Sequence, residues 1–537
     1  MAEEDLIFGK NRHFFGGIEP DNMKAFSAKI VDGKVQISAE LPSDTVVDGQ
    51  TLCTVKGAVI RRKTNSYPQD EFDGELVADI KTSPVEFVDT EASADETDFY
   101  AAFPYTTQGV YNRNKANCVI AKKKNYTYVF GYDLDIADPN PATRVHYPDD
   151  VDNANFVPAK LKQLTLNKND FGFDYGGWSF EPGEKFMPRP CMLTYDGVVD
   201  HYLDPNDYTK KIDGTASSVA DTSFNGNAMM EWPKIYTKRW EEDGVYHFRC
   251  SDIPQDDDWD CWCNYDINDN QIDHFYTAIY QSILSDNKFR SLSGSVSDYG
   301  TASECITYAK ANGDDWYIEQ LADRMLIHDL LIMMSCSTDI GLAFGRGYTD
   351  TTAKGRQSNG AQNLAGMFIG ADSVYPRVIV KTFGMENLWG NQSRFIAGWI
   401  ISSTSATSKD CIQKIKITRG THDGSTAMDF NTDGAGYITI QEPINAGSNT
   451  NNSSGFIKDM KVTPFGRLPL SWDGSSSTYE AEKLVTTSSS LMCYPYVGGY
   501  YDEGTCGFLY IVMNKTAKDS TYGDISAALS CKPRAIG

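Results

Sequence analysis

One segment of the sequence is rich enough in carboxylates to suggest metal binding. Residues 251–273 include eight Asp and no Lys or Arg, and calcium prefers clustered oxygen ligands of this kind. The segment from Asp266 begins like a calcium loop, but Gln271 replaces the turn glycine and Thr277 replaces the bidentate Glu. We therefore exclude an EF-hand and expect a solvated acidic loop, with a looser calcium site as the alternative. No other cofactor is predicted.

The residue types that most often carry catalysis do not fall into a catalytic pattern. None of the seven histidines has the spacing of a zinc site, and neither a phosphate-binding loop nor a nucleophile elbow occurs. His328 lies in an apolar segment and is expected to be a core histidine with its hydrogen bonds satisfied. The sequence predicts no metal ligand and no catalytic residue, so we do not expect an enzyme.

The amino-acid composition argues against nucleic acids and membranes as partners. The 537 residues carry a net charge of −24, which opposes binding to the phosphates of nucleic acids. No apolar run approaches the ~18 residues of a membrane-spanning helix, and the first residues lack the apolar centre of a signal peptide. We expect synthesis in the cytoplasm, where the twelve cysteines stay reduced as buried thiols.

Residues 1–21 contain an aromatic and basic stretch outside any regular pattern. Phe8, Phe14 and Phe15, with Arg12 between them, make this stretch too apolar for a simple solvated tail. We expect a docking segment that a partner orders. The alternative is a flexible tail, which is the usual state of an unanchored terminus.

Residues 22–128 predict short strands separated by turns. Apolar and polar residues alternate on both sides of Asp32 and Gly33, which is typical of a hairpin. Roughly seven such strands in about 100 residues predict an antiparallel β-sandwich.

Residues 129–537 mix strands with two predicted helices. Apolar side chains recur at helical spacing in residues 271–284 and again in residues 314–334. Asp314 or Asp315 is expected to cap the second helix. The predicted fold class is mainly β with an α+β part, in which a β-sandwich precedes a larger α+β domain.

Several phrases resemble a family of tail-associated proteins from phages and prophages of Gram-positive hosts. The resemblance spans nearly the whole chain, and its sandwich is similar to fibronectin type III domains. The main phrases are LIFGKNRHFFGGIEP (6–20), NPATRV (140–145), STDIGLAFGRGYT (337–349), FGMENLWGNQSRFIAGW (383–399) and YVGGYYDEGTCGFLYIVMN (496–514). Their order along the chain makes the resemblance specific.

The large domain resembles C-type-lectin-like domains of the formylglycine-generating-enzyme type. The resemblance implies that Trp389 and Asn391 lie in a strand and turn that support the core. It also implies that Gly498 and Gly499 open the terminal, hairpin-like segment.

This chain departs from the family pattern at positions that matter for the family's catalytic activity. Ser393 and Phe395 stand at two positions where the family has Trp. Catalytic members use paired cysteines near the C-terminus, whereas Cys506 has no second cysteine at that spacing. The resemblance therefore does not imply copper-dependent oxidation in this chain.

Related proteins display ligand-binding residues on the same C-terminal segment. The counterparts that the resemblance implies here are Tyr494, Tyr496, Tyr500, Tyr501, Asp502 and Glu503. Tyrosine suits recognition because it combines a large apolar face with a hydrogen-bonding hydroxyl at low entropic cost. The alternative is that these tyrosines close the core or pack against a neighbouring subunit.

The function implied by the resemblance is that of a structural virion protein in the tail tip, baseplate or fibre. It would bind a glycan of the host-cell surface as an adhesin, attach to other virion proteins through residues 1–21, and act as a homo-oligomer. A first alternative is a decoration or assembly protein that binds only neighbouring subunits. A second is a depolymerase that hydrolyses wall polymer with two carboxylates.

Overall fold

The structure is a computed structural model of the chain. It describes residues 18–31, 34–47, 49–64, 66–92, 98–114, 117–121, 128–162, 172–349, 355–370, 378–403, 412–417, 438–445, 452–487, 492–502, 506–513 and 525–534. The predicted docking residues Phe8, Arg12, Phe14 and Phe15 and the candidate ligand residue Glu503 lie outside these ranges.

The described residues form three α-helices and 38 β-strands. The helices are α1 (Ala302–Lys310), α2 (Leu321–Ser335) and α3 (Ile340–Phe344). The strands are β1 Ala25–Val31, β2 Lys34–Glu40, β3 Thr45–Val47, β4 Gln50–Cys53, β5 Val55–Lys63, β6 Glu75–Ile80, β7 Val85–Asp89, β8 Asp98–Thr106, β9 Cys118–Ala121, β10 Val129–Asp135, β11 Val145–His146, β12 Lys160–Leu161, β13 Phe173–Asp174, β14 Arg189–Thr194, β15 Val199–Asp204, β16 Asp207–Lys211, β17 Gly226–Pro233, β18 Tyr236–Glu242, β19 Val245–Ser251, β20 His274–Ala278, β21 Ile283–Ser285, β22 Lys288–Arg290, β23 Trp316–Ile318, β24 Lys381–Thr382, β25 Met385–Glu386, β26 Ser393–Phe395, β27 Trp399–Ser403, β28 Ile412–Ile417, β29 Ile438–Asn445, β30 Asn452–Phe456, β31 Met460–Thr463, β32 Gly466–Pro469, β33 Lys483–Thr487, β34 Met492–Cys493, β35 Tyr496–Val497, β36 Ile511–Met513, β37 Ile525–Ser526 and β38 Leu529–Cys531. The predicted mainly β class is confirmed.

The described residues divide into two compact units, and the larger unit begins at Tyr128. This division lies one residue before the start expected from the sequence for the larger domain. Within the described ranges, no helix has the length and apolar character needed to cross a membrane.

The smaller unit consists of two antiparallel sheets that share one core, together with the hairpin β3–β4. The strand orders of the sheets are β1-β2-β7 and β6-β5-β8-β9. Val35 of the first sheet packs in the same apolar cluster as Ile60 and Tyr100 of the second. Val31 pairs with Lys34, so two residues connect β1 to β2, as the Asp-Gly sequence predicts.

The larger unit contains four sheets of four or more strands around one continuous hydrophobic core. Their strand orders are β16-β15-β14-β17-β20-β38-β23, β11-β10-β19-β18, β30-β33-β36-β35-β26-β37 and β29-β28-β27-β34. Four two-stranded hairpins complete the described part of the unit, namely β12–β13, β21–β22, β24–β25 and β31–β32.

Helix α2 lies in the middle of this core, and each of its residues is buried. Most of its side chains are apolar, but it also carries Asp323, Arg324 and Asp329. Because burying an unpaired charge costs several kcal/mol, each of these groups needs a partner inside the unit.

Asp329 finds its partners on the sheet β11-β10-β19-β18. Its Oδ1 accepts hydrogen bonds from the hydroxyls of Tyr132 at 2.7 Å and Tyr246 at 3.2 Å. Its Oδ2 accepts one from Arg239 Nε at 2.8 Å. The carboxylate therefore joins three strands of that sheet to the helix.

Asp323 joins the N-terminal end of α2 to the sheet that contains β38. Its Oδ1 lies 2.9 Å from Lys532 Nζ, and its Oδ2 accepts a hydrogen bond from Ser530 Oγ at 3.2 Å. Lys532 also donates to Cys263 O at 2.7 Å. Two sheets are thus fixed to one helix through its charged residues.

The first predicted helix, in residues 271–284, is wrong. Strand β20 lies there, in the seven-stranded sheet between β17 and β38, and four of its five residues are buried. A central strand that is buried on both faces has a continuous apolar sequence, which matches helical spacing by chance. Phe275, Tyr276 and Thr277 belong to the types that favour strands.

The second predicted helix exists but begins seven residues later than Asp314. Its N-cap is Gln320, without a side-chain cap, because Trp316–Ile318 forms β23 and pairs with β38. Asp314 and Asp315 pair with Arg534 instead of capping a helix.

The sequence predicts buried cysteine thiols and a core histidine at His328, and the structure agrees in part. Ten cysteines have described side chains, and eight of these are buried. His328 is buried and stacks on Phe508 with ring centroids 5.6 Å apart, and burial lowers its pKa well below the usual value. The prediction of satisfied hydrogen bonds is wrong, because its Nε2 has no partner among the described residues.

Substitution of Asp329 tests whether the charge on α2 holds the larger unit together. Asp329→Asn is expected to lower the free energy of unfolding by about 3 kcal/mol or more, because buried Arg239 loses its counter-charge. All nine tryptophans follow residue 128, so tryptophan fluorescence during urea unfolding reports on this unit alone. Asp256→Asn, at a half-exposed pair with Lys238, is the control and should change little. Equal effects of the two variants would contradict this role of Asp329.

Candidate ligand-binding surface

Asn391 connects the segments that form the candidate site. Its φ of 61° lies in the left-handed region, which Asn enters more readily than most residues. The preceding Gly390, with φ 77°, donates its N–H to Gly498 O at 2.8 Å. This turn places Asn391 against the C-terminal segment that starts at Gly498.

The Asn391 side chain is buried, and its amide is bonded at both ends. Nδ2 donates to Gln281 Oε1 at 3.0 Å and to Gln357 O at 3.3 Å, while Oδ1 accepts from Gln357 N at 2.8 Å. The backbone N–H donates to Tyr348 O at 2.9 Å, and the backbone O accepts from Tyr501 N at 3.2 Å. One residue thereby fixes two surface segments, which carry Gln357 and Tyr501.

Residues 355–358 form a strap beside residues 294–300. Ser358 and Val296 form a β-bridge, and Arg356 Nη1 donates a hydrogen bond to Ser297 O. The strap is therefore tied to its neighbour by backbone as well as side-chain contacts.

Two buried side chains, Glu386 and Lys381, anchor the chain that follows the strap. Glu386 accepts hydrogen bonds from the N–H groups of Gly360 and Gln362, both at 2.8 Å, and Lys381 Nζ donates to Gln362 O at 3.0 Å. Lys381 and Glu386 are direct partners in the hairpin β24–β25. The strap is thus connected to the core at its C-terminal end and to Asn391 near its middle.

Tyr500, Tyr501 and Asp502 form the second surface segment, and all three are half-buried. The rings of Tyr500 and Tyr501 meet at 89°, with centroids 5.7 Å apart. Cys506 Sγ lies 3.3 Å from Tyr500 O. The two rings are held in a fixed edge-to-face arrangement and remain partly open to solvent.

Tyr299 adds a third aromatic ring on the neighbouring segment. It is 48% exposed, and the Arg356 guanidinium lies 5.6 Å from its ring centroid. We use the name Asn391 surface for residues 294–300, 355–358 and 500–502. This surface offers aromatic faces together with amide, guanidinium and carboxylate groups.

Tyr494 and Tyr496 do not belong to this surface. They are 5% and 9% exposed and lie in the core of the unit, and Tyr496 packs edge to face on Phe395. Their assignment as ligand residues is corrected, because rings buried to this extent close the core. Tyr500, Tyr501 and Asp502 remain candidates.

Trp389, Gly498 and Gly499 make close contacts with neighbouring segments of the core. Trp389 is fully buried and its Nε1 donates to Gly345 O at 2.9 Å. Gly499 has φ 68°, and a Cβ at this position would lie 2.9 Å from Cys506 Sγ. With Asn391 they form the junction beneath the Asn391 surface.

Glu482 holds the chain that follows Tyr500 and Tyr501. Its buried carboxyl accepts a hydrogen bond from Phe508 N at 3.0 Å. Burial, and then the charge of Asp339, raise the pKa of Glu482 to about 8. The neutral acid is therefore the form that the core favours.

The acidic loop folds on itself. Asp266 Oδ1 accepts the N–H groups of Asn268 at 2.8 Å and Asn270 at 2.9 Å. Asp256 and Asp258 pair with Lys238. Within the described ranges, no group of three or more His, Cys, Asp or Glu is placed to hold a metal ion.

Sequence reasoning missed Tyr299, Arg356 and Gln357. They lie in stretches rich in Gly and Ser, which indicate loops but not their partners. Only the fold brings these loops to Asn391, so no local signal could have identified them.

The chain matches no model of a known protein family and no curated protein.

Two asparagines test the role of the Asn391 amide. Asn391 and Asn387 are both buried and left-handed, but the Asn387 amide has no hydrogen-bond partner among the described residues. Asn391→Ala is expected to cost about 2 kcal/mol more than Asn387→Ala, because it leaves buried partners unsatisfied. Urea unfolding measures this difference, and hydrogen exchange should show faster exchange at Gln357 N–H in Asn391→Ala only.

The raised pKa of Glu482 should make the stability of the larger unit depend on pH. Its folded pKa of about 8 exceeds its ordinary value of 4.5, so the folded state binds the proton more tightly. Its contribution is greatest below pH 4.5 and is lost as pH rises to about 8. Relative to wild type, Glu482→Gln should gain roughly 1.4 kcal/mol per pH unit in this window. Urea unfolding at pH 5, 6.5 and 8 measures this difference, and a constant difference would contradict the prediction.

Proposed function

We propose that the protein is a structural component of a phage virion, in the tail tip, baseplate or fibre, and that it acts as a host-surface adhesin. Its larger unit would bind a glycan through the Asn391 surface. The observation that carries this proposal is the half-exposed pair Tyr500 and Tyr501, held edge to face on a backbone that Asn391 fixes.

The chemistry of the surface suits sugars. Aromatic rings pack against the apolar faces of sugar rings, and nearby amides and carboxylates bond their hydroxyls. Because the backbone under these rings is fixed by buried hydrogen bonds, little conformational entropy is lost on binding. These features support reversible recognition rather than hydrolysis, for which a pair of carboxylates across a cleft is needed.

The proposal extends to the fold and to the partners. The two-sheet smaller unit would be a fibronectin-type-III-like domain, and the larger unit a C-type-lectin-like domain with insertions. Residues 1–21 would attach the protein to other virion proteins. A homo-oligomer would multiply weak contacts to the host surface into strong binding.

A second candidate function is a decoration or assembly protein that binds only virion subunits. The smaller unit favours it, because the hairpin β3–β4 exposes Val46, Val47 and Leu52. Clustered exposed apolar residues commonly mark a contact with another protein. This candidate predicts no binding to cells.

Cell binding tests the adhesin. Purified protein, biotinylated and multimerised on streptavidin, is mixed with a panel of Gram-positive cells and with the same cells stripped of wall glycan. We expect saturable binding that stripping removes. Tyr500→Ala with Tyr501→Ala should weaken it at least about tenfold, since hot-spot tyrosines often contribute more than 1.4 kcal/mol each.

Tyr236→Ala is the matched control, because Tyr236 is another half-buried tyrosine, in β18. It should leave binding unchanged, and unchanged tryptophan fluorescence should show that all variants are folded. Absence of wild-type binding to every cell type would overturn the adhesin in favour of the assembly protein.

A further inference from the structure

We propose that the ligand of the Asn391 surface carries an oxyanion, and that Arg356 binds it. This inference rests on the proposed function and names the class of glycan, which is one bearing phosphate or carboxylate groups. The shared chemistry is a planar or tetrahedral group with two oxygens that one guanidinium can bind together.

Most N–H donors of the Arg356 guanidinium have no hydrogen bond to a described residue. One nitrogen, Nη1, donates to Ser297 O, and the guanidinium lies over the ring of Tyr299. An arginine carries five N–H donors in a planar fork. Its side chain is half-buried, so the remaining donors are held near the surface by the strap rather than on a freely moving chain.

Eleven of the other described arginines form ion pairs within the protein, and Arg61 donates instead to the backbone carbonyls of Glu71 and Gly74. The following form ion pairs with Asp or Glu: Arg62, Arg113, Arg144, Arg189, Arg239, Arg249, Arg324, Arg346, Arg394, Arg467 and Arg534. Arg290 is buried and donates to several backbone carbonyls. Arg356 forms no ion pair with any described residue.

The overall charge of the chain makes the lack of a described ion pair at Arg356 informative. With 73 Asp and Glu against 49 Lys and Arg, a cation easily finds a partner in the same chain, and the protein as a whole repels anions. Anion binding must therefore come from a local, directed group. Arginine suits this role because its fork matches carboxylate and phosphate oxygens and because it stacks on an aromatic ring.

The neighbouring carboxylates refine the ligand. Asp298 lies in the same segment as Tyr299, and Asp502 follows Tyr501. Carboxylates accept hydrogen bonds from sugar hydroxyls but repel a dense polyanion. The surface thus fits anionic groups spaced by neutral, hydroxyl-rich units.

Charge-neutral variants test the inference on the full chain. The same streptavidin multimer is measured against cells that bind wild type and against poly(glycerol phosphate), polygalacturonate and neutral dextran. We expect Arg356→Gln to weaken cell binding at least tenfold and Arg356→Lys to restore it only in part, because Lys lacks the fork. Arg534→Gln, which removes an equal charge from a paired arginine, should bind like wild type.

The polymers identify the source of the oxyanion. Binding to poly(glycerol phosphate), with competition by inorganic phosphate, indicates phosphate, and binding to polygalacturonate indicates carboxylate. Arg356→Gln should lose whichever binding wild type shows, and dextran should bind neither protein.

Two results separate failure of this inference from failure of the adhesin. If Arg356→Gln binds cells as wild type does while the Tyr500 and Tyr501 variant does not, the ligand is neutral and the inference is overturned. If wild type binds no cells, both are overturned.

Discussion

The larger unit depends on one constraint, which is that helix α2 is buried on every side and yet carries charges. Asp323 reaches Lys532 beside β38, and Asp329 reaches Arg239 in β18. Arg324 pairs with Glu319, just before the helix. Because an uncompensated charge in this core would cost several kcal/mol, only an arrangement that brings these partners together is stable. The pairings therefore fix which strands lie against the N-terminal end and the middle of the helix.

The same helix determines the geometry of the Asn391 surface. Arg324 Nη2 donates to Leu388 O at 3.0 Å and also to Phe508 O. Leu388 precedes Asn391 in one segment, and Phe508 follows Tyr500 and Tyr501 in the other. A single buried guanidinium thus holds both segments beneath the surface, so loops can present rigid tyrosines. This is the pre-organisation that recognition by weak, repeated contacts requires.

The sequence predicts what neighbouring residues decide, and it fails where distant residues decide. The pairing of β1 with β2 follows from alternation and from a short connection, both local, and the sequence predicts it. Strand β20 has an apolar run that locally predicts a helix, and its place between β17 and β38 depends on residues far along the chain. Tyr496 and Tyr500 have the same residue type and similar neighbours, and only strand pairing buries the first and leaves the second half-exposed. No local pattern singles out Arg356. Only the fold shows that it forms no ion pair with a described residue.

Amide hydrogen exchange of the full chain, free and bound to isolated cell walls, tests the central claim most directly. The account predicts slower exchange on binding in residues 294–300, 355–358 and 500–502, the segments that Asn391 joins. Protection confined to the hairpin β3–β4, with the Asn391 surface unchanged, would contradict it.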